Sequence, residues 1–283
     1  MVGGTPRRRA AAPLTVVDIS SAYEGVAEAW ATGAARLYDP LARAIVGEYP
    51  ILLEGRRILD LGAGTGAVSR ALLERGAEPF AIDSAHDMIA HCNARGIRGS
   101  VGDLLELPLP DASFDGAIAA FSLSHVSDPV RALREAVRVV REDGAVVAAV
   151  FAASSPHRSK TAIEETAVAF GYAPPDWYVR VKRDVEPLTN TSDALQHCAH
   201  LAGLADVSVI ERTMNSGLDT PEEIVASRLG MAHLAPFVAA LPPHRREALV
   251  AAAIAAVAED PQPLRPALLI MCSRIRSIRS LAL

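Results

Sequence analysis

Cysteine is scarce in this chain of 283 residues: Cys92, Cys198 and Cys272 are odd in number and far apart. That pattern excludes a disulfide framework and a zinc knuckle and fits a reducing cytoplasm. Long apolar runs are missing too. The longest, Ala145–Ala153 and Ala248–Ala258, stop well short of the roughly 20 residues a membrane helix needs. Positive charge is not in excess: 28 Lys and Arg against 33 Asp and Glu leave a formal net charge of -5. No overall field draws such a chain to phosphate backbones, which disfavours nucleic acid and favours a small, largely uncharged or cationic ligand. Targeting signals are lacking at both ends. Arg7, Arg8 and Arg9 precede a stretch that Pro13 interrupts, a poor signal-peptide core, so residues 1–18 read as a disordered tail. Arg274, Arg276 and Arg279 alternate with Ile275 and Ile278, and the final Leu281-Ala282-Leu283 matches no lipidation or sorting signal. The sequence has no internal repeat and no zinc or other metal motif.

What is there is enough apolar material to fold. Half of the residues are hydrophobic and 22% are charged, which excludes disorder over most of the chain. Residues 19–54 have helical spacing, with Tyr23, Trp30 and Tyr38 as aromatic punctuation, and predict an N-terminal cap of two helices. Residues 55–153 alternate short apolar runs with amphipathic windows, the sequence form of a parallel sheet built from βαβ units. The runs Ile58–Leu61, Phe80–Ile82, Ile97–Val101, Ala117–Phe121 and Ala145–Phe151 are apolar throughout, as strands covered on both faces should be. A helix after the fourth run is marked by Asp128 as N-cap and Pro129 at its first position, with Val130, Leu133, Val137 and Val140 on one face and Gly144 as its C-cap region. Residues 154–204 break the regularity and read as a lid or substrate insertion. Residues 205–283 complete the sheet through a strand at Val207–Arg212 and a run at Ala267–Cys272 that pair antiparallel at one edge, with helices near Pro221–Met231 and Arg245–Ala258 between them. The fold class expected is therefore α/β, Rossmann-like and doubly wound, a mostly parallel sheet with an antiparallel edge strand, N-terminal helices and a helical lid.

Ile58-Leu59-Asp60-Leu61-Gly62-Ala63-Gly64-Thr65-Gly66 sets three alternate glycines where a buried strand ends and a helix begins, so that a ligand can approach bare backbone. A tight turn packed on a sheet would ask for the same residues. A dinucleotide loop reads G-x-G-x-x-G; here the third glycine comes one residue early, which argues against a nicotinamide oxidoreductase. Asp83 and Asp103 end the second and third strands, on the edge where open α/β sheets bind ligands. A carboxylate at Asp83 can accept from a ribose diol, and Asp103 from an exocyclic amine while Leu104 offers an apolar face to a purine. Each aspartate equally fits a helix cap or a turn.

These residues, together with Phe121-Ser122-Leu123-Ser124-His125-Val126 and Glu135–Gly144, resemble the class I S-adenosylmethionine-dependent methyltransferases, within them the small-molecule subgroup like the enzymes of ubiquinone and menaquinone biosynthesis. The resemblance covers Leu59–Phe151, and the flanks match only loosely. It implies S-adenosyl-L-methionine as cofactor, with Gly62, Gly64 and Gly66 around its methionine part, Asp83 on the ribose, Asp103 and Leu104 on the adenine, Asp60 supporting the loop or the amino group, and Phe121 near the transferred methyl. Ala63, Ser84 and Met88 count with them as cofactor-binding, and so does Tyr23, whose hydroxyl would reach the cofactor carboxylate.

Methyl transfer from a sulfonium is an in-line displacement in which the protein mainly aligns the partners and excludes water. A base is useful where the acceptor must lose a proton, and His125 is the candidate; a packing role in its loop fits the same position. Tyr23 and Trp30, seven residues apart, would share a helix face and close the cofactor mouth. Trp30, His157, Trp177 and Tyr178 are the candidate substrate residues, with Met231 and Phe237 as possible additions to an aromatic wall. The expected reaction is methyl transfer to an O, N or C atom of a small, fairly apolar metabolite of the natural-product kind. A cyclase that uses the cofactor non-reactively and a noncatalytic binding subunit are the alternatives. The sequence leaves the oligomeric state open, a homodimer included.

Overall fold

The computed structural model describes residues 20–155 and 157–275. The expected N-terminal tail lies outside the described residues, as do Arg276 and Arg279. Strands Arg57–Leu61 (β1), Glu78–Asp83 (β2), Gly99–Val101 (β3), Phe114–Ala120 (β4), Val140–Phe151 (β5), Val207–Thr213 (β6) and Ala267–Arg274 (β7) form one sheet in the order β3-β2-β1-β4-β5-β7-β6. The first five are mutually parallel, and β7 enters antiparallel between β5 and β6. This is the doubly wound topology with an antiparallel end, and β1 and β4 flank its point of reversal.

Both faces of the central strands are buried, and the side chains divide with a period of two. Ala145, Val147 and Ala149 of β5 join the core under the N-terminal helix Ala35–Gly47 and the helices Ala67–Leu73, Arg158–Ala169, Pro221–Leu229 and Pro243–Ala258. Val146, Ala148 and Val150 join the opposite core, under Pro129–Val139 and Ser192–Leu201. Uninterrupted apolar strands arise because neither face meets water. β3 departs from that rule: it is only three residues long at the sheet edge, and Val101 is 36% exposed.

Three local expectations are corrected. Tyr23 and Trp30 do not share a helix, because Ser20–Tyr23 ends at a break around Gly25, whose φ of 75° suits glycine. The chain restarts at Ala27 and runs through a wide π-type turn, Trp30–Ala34, into Ala35–Gly47. The two rings meet nonetheless, edge to face with centroids 5.7 Å apart.

The helix Pro129–Val139 keeps its expected start, with the Asp128 side chain accepting from the Arg131 amide, but buries Ala132, Leu133, Ala136 and Val139. Val130 and Val137 sit at the margins of that face, and Val140 is already the first residue of β5. Gly144 is not a cap: it lies in β5, where an added Cβ would come 2.6 Å from the Asp115 carbonyl oxygen of β4. The left-handed residue of that irregular stretch is Asp143, with φ 65°. Within residues 154–204, Ser192–Leu201 lies against Pro129–Val139 and β6 as part of the layer covering the sheet.

Candidate active site

The carboxyl ends of β1, β2, β3 and β4 open into a cleft of about 570 Å³. The loop after β1 makes its floor. Gly62, Gly64 and Gly66 all have positive φ, of 71°, 53° and 84°, a run that side-chain-bearing residues rarely adopt. A Cβ on Gly62 would overlap the Ser122 side chain, so glycine also allows the β1 and β4 tips to approach. Gly66 is the hinge into Ala67–Leu73 and is not among the cleft-lining residues.

Carboxylates hold this loop in shape. Asp83 accepts from the Gly64 amide at 2.8 Å through one oxygen and from the Ala85 amide at 3.0 Å through the other, and burial raises its pKa from the usual carboxylate range. Asp60 is buried within β1 and accepts from the Ser69 amide at 2.9 Å and the Ser69 hydroxyl at 2.7 Å. It thereby fastens the helix to the strand. Burial outweighs those two bonds and pushes its carboxyl up to about 7. Asp103 accepts from the Leu105 amide at 2.8 Å, within the turn that follows β3.

On the β4 side, Phe121 holds φ 65°, strained for a non-glycine, and its amide donates to the Ala149 carbonyl at 2.7 Å. Its ring stacks on Phe151 at 4.8 Å and meets Tyr38 edge-on at 5.0 Å. His125 ends a short 3-10 turn, Leu123–His125, and its Nδ1 lies 3.3 Å from the Tyr23 hydroxyl. Burial, then the charges of Lys182 and His233, hold the imidazole down at about 4, so it is neutral at physiological pH. Burial likewise raises the Tyr23 phenol well above its ordinary value.

Of the sequence candidates, Tyr23, Trp30, Asp60, Gly62, Ala63, Gly64, Asp83, Ser84, Met88, Asp103, Leu104, Phe121 and His125 all line this cleft. His157 does not. Its Nε2 lies 3.2 Å from the Pro263 carbonyl, tying the start of Arg158–Ala169 to the loop ahead of β7. Trp177 and Tyr178 also lie off the lining, although Trp177 approaches Tyr23 with centroids 6.1 Å apart. Tyr178 stacks flat on His233 at 3.9 Å and accepts from Arg228 at 3.2 Å. Met231 is buried in the core and Phe237 packs against Tyr172 at 5.4 Å, so neither adds to a wall of the cleft.

Sequence reasoning gave no ligand role to Tyr38, Thr65, Leu105, Ser122 and Ser127, which line the cleft as well. Ser122 carried a usable signal, since it follows Phe121 directly at the end of the fourth apolar run. Among the described residues, no group of three or more His, Cys, Asp or Glu could hold a metal, and no helix is long and apolar enough to cross a membrane.

Residues 59–148 match the family model described as a methyltransferase domain. The chain is 29% identical over 210 residues to a demethylmenaquinone methyltransferase of Renibacterium salmoninarum, covering 71% of this chain and 86% of that protein. It is 33% identical over 145 residues to a demethylmenaquinone methyltransferase of Mycolicibacterium paratuberculosis, which is 49% of this chain and 61% of that one. Among solved structures it resembles a phosphoethanolamine N-methyltransferase of Haemonchus contortus in complex with S-adenosylhomocysteine, with a TM-score of 0.53 and 17% identity over 84% of this chain and 52% of the other. At that identity the likeness concerns the fold.

Proposed function

We propose that this chain is a class I S-adenosylmethionine-dependent methyltransferase of the ubiquinone and menaquinone type, and that it methylates an O, N or C atom of a small, fairly apolar metabolite. The observation that carries the reading is one cleft in which a glycine loop, two strand-end aspartates and a part-buried histidine–tyrosine pair face each other.

The residues present fit the cofactor. After its backbone contacts each oxygen of Asp83 keeps a lone pair for a ribose hydroxyl. Asp103, Leu104 and Met88 offer one acceptor and two apolar surfaces to an adenine, and the Ser122 hydroxyl is a buried polar atom with no partner among the described residues. Cleft size agrees with a ligand of that class. S-adenosylmethionine, when bound, supplies an electrophilic methyl on a sulfonium.

Everything else falls to the chain. Phe121, Tyr38 and Trp30 exclude water from the methyl-transfer end and give an apolar acceptor a surface to lie on. His125 takes the acceptor's proton: in the tautomer whose Nδ1–H donates to the Tyr23 oxygen, Nε2 carries the free lone pair. An imidazole held at about 4 is a weak base, but the acceptor's proton becomes strongly acidic as the new bond to carbon forms. Trp177 closes the mouth beside Tyr23, and the segment 176–188 acts as the lid. The acceptor chemistry of the demethylmenaquinone methyltransferases, an apolar quinone-type ring, suits these aromatic walls. Three free cysteines, two of them buried, support a reducing, cytoplasmic setting.

Incubation with methyl-labelled S-adenosylmethionine and a panel of hydroxylated aromatic acceptors tests the reading. Label is expected in the product. Conversion without label would mean a cyclase, and failure of wild-type protein to bind S-adenosylhomocysteine in calorimetry would remove the cofactor.

A further inference from the structure

Five tyrosines occur in the chain, and a phenol packed inside a fold normally finds a hydrogen-bond partner for its hydroxyl. Three of them do. Tyr23 meets His125, Tyr49 donates to the Ala145 carbonyl at 3.2 Å, and Tyr178 accepts from Arg228. The Tyr172 hydroxyl has no partner, but it is shut inside the fold and Tyr172 lines no part of the cleft. Tyr38 differs from all four: half-buried on the helix Ala35–Gly47, it lines the cleft, and its hydroxyl has no hydrogen bond among the described residues.

Packing uses the ring of Tyr38 and leaves its hydroxyl unused. Trp30 stacks on the ring with centroids 5.2 Å apart and 15° between the planes, while Phe121 and Phe151 meet it edge-on at 5.0 Å and 6.3 Å. Phenylalanine would fit among those rings as well, and the hydroxyl only costs hydration unless something in the cleft accepts from it. The sheet order says which ligand that is. Phe121 and Phe151 stand at the ends of β4 and β5, whereas Asp83 and Asp103, the candidate partners of the nucleoside, belong to β2 and the turn after β3, on the far side of β1. Burial above all raises the Tyr38 phenol over its ordinary value and keeps it a proton donor. After burial, the groups that act on it are Arg228, Tyr178 and Glu186, from the helix Pro221–Leu229 and the segment 176–188, while Asp83 acts on Tyr23.

We propose that the Tyr38 hydroxyl selects and orients the acceptor by donating a hydrogen bond to a ring carbonyl oxygen of a flat, apolar molecule bound in the cleft. The hydrocarbon part of such a molecule meets the aromatic lining, Trp30 and Phe121 included, and its one oxygen fixes which way round it lies. That this molecule is the methyl acceptor rests on the reading under Proposed function.

The test titrates 1-tetralone and tetralin, alike in shape except for the carbonyl, into the full chain by calorimetry, with and without S-adenosylhomocysteine. Tyr38→Phe removes the hydroxyl and leaves the ring. From wild type to Tyr38→Phe the ratio of tetralone to tetralin affinity is expected to fall by about fivefold, the worth of one neutral hydrogen bond, with tetralin affinity, S-adenosylhomocysteine affinity and Tm unchanged. A hydroxyl that served only the fold would leave that ratio alone and lower Tm when removed. An unaltered ratio, a loss of S-adenosylhomocysteine affinity in Tyr38→Phe of about tenfold, or no tetralone binding to wild-type protein overturns the proposal. Should wild-type protein fail to bind S-adenosylhomocysteine, the methyltransferase reading falls, and the titration without it still decides the role of Tyr38.

Discussion

The Tyr23 hydroxyl stands 3.3 Å from Nδ1 of His125, so a residue ahead of the sheet fixes the ring of one that follows the fourth strand. The contact spans 102 positions and joins the N-terminal cap to the β4 edge across the mouth of the cleft. If His125 takes the proton through Nε2, Tyr23 acts by holding the tautomer. His125→Gln should then lower kcat by about a hundredfold and Tyr23→Phe by about tenfold, with S-adenosylhomocysteine affinity within about threefold of wild type. Equal losses of turnover and cofactor affinity would place both residues in the cofactor wall instead.

Acid stability offers an independent check on His125. Its value in the folded protein, about 4, lies below the ordinary 6.5. Between those two values the unfolded chain binds a proton that the native chain does not, so stability is complete above about pH 6.5 and is lost as pH falls toward 4. The full window corresponds to about 3 kcal/mol. Urea unfolding at about pH 7.5 and pH 4.5 should therefore show His125→Gln losing about 2 kcal/mol less than wild type on acidification. His233, also held at about 4 by burial, keeps part of the slope in the variant. Asp60 has the opposite sign: its value is raised to about 7, so it withdraws stability as pH rises from about 4 to 7. Identical acid sensitivity in wild type and His125→Gln would contradict a buried neutral imidazole.

Asp83 serves the loop before it serves a ligand. Because it accepts from the Gly64 and Ala85 amides, Asp83→Ala removes two loop tethers along with the carboxylate oxygens proposed to meet the ribose. The variant should lose about 1–3 kcal/mol of stability and about a hundredfold in S-adenosylhomocysteine affinity. Asp83→Asn, able to accept through one oxygen only, should fall between the two in both measurements. Calorimetry finding unchanged affinity in Asp83→Ala would take the residue out of the nucleoside site.

The glycine-and-aspartate half of the cleft was readable because its determinants are local. A strand covered on both faces has to be apolar, its end is marked by the change to glycine, and β1, β2 and β3 each present one aspartate at or near that end. The other half has no such period. Tyr23 meets Trp30 through a break at Gly25 rather than along a helix face, which spacing alone misassigned. His157 looked placed for a lid but is held by the Pro263 carbonyl 106 positions away. Glu164 meets Arg228, 64 positions further on, and His233 just beyond it, and nothing in the neighbourhood of Glu164 announces either. Gly144 illustrates the same limit: it resembled a cap because a helix precedes it, whereas the demand for glycine comes from Asp115 on the adjacent strand.

The glycine loop itself can be tested against a glycine that shares its positive φ but not its crowding. Gly62 and Gly171 both have positive φ, 71° and 101°, so alanine at either is strained by about 1–2 kcal/mol. At Gly171 a Cβ meets nothing within 4 Å. At Gly62 it would overlap Ser122 and lie 3.7 Å from Leu104, two residues that line the cleft. Gly62→Ala must therefore separate the β1 and β4 tips, adding about 1–3 kcal/mol of overpacking to the backbone term. Thermal unfolding should rank wild type above Gly171→Ala above Gly62→Ala, and only Gly62→Ala should lose S-adenosylhomocysteine binding, by tenfold or more on the same scale of about 1.4 kcal/mol per decade. Equal stability and affinity in the two variants would mean that the loop needs glycine for its φ alone and that the tight approach to Ser122 has no part in shaping the cleft.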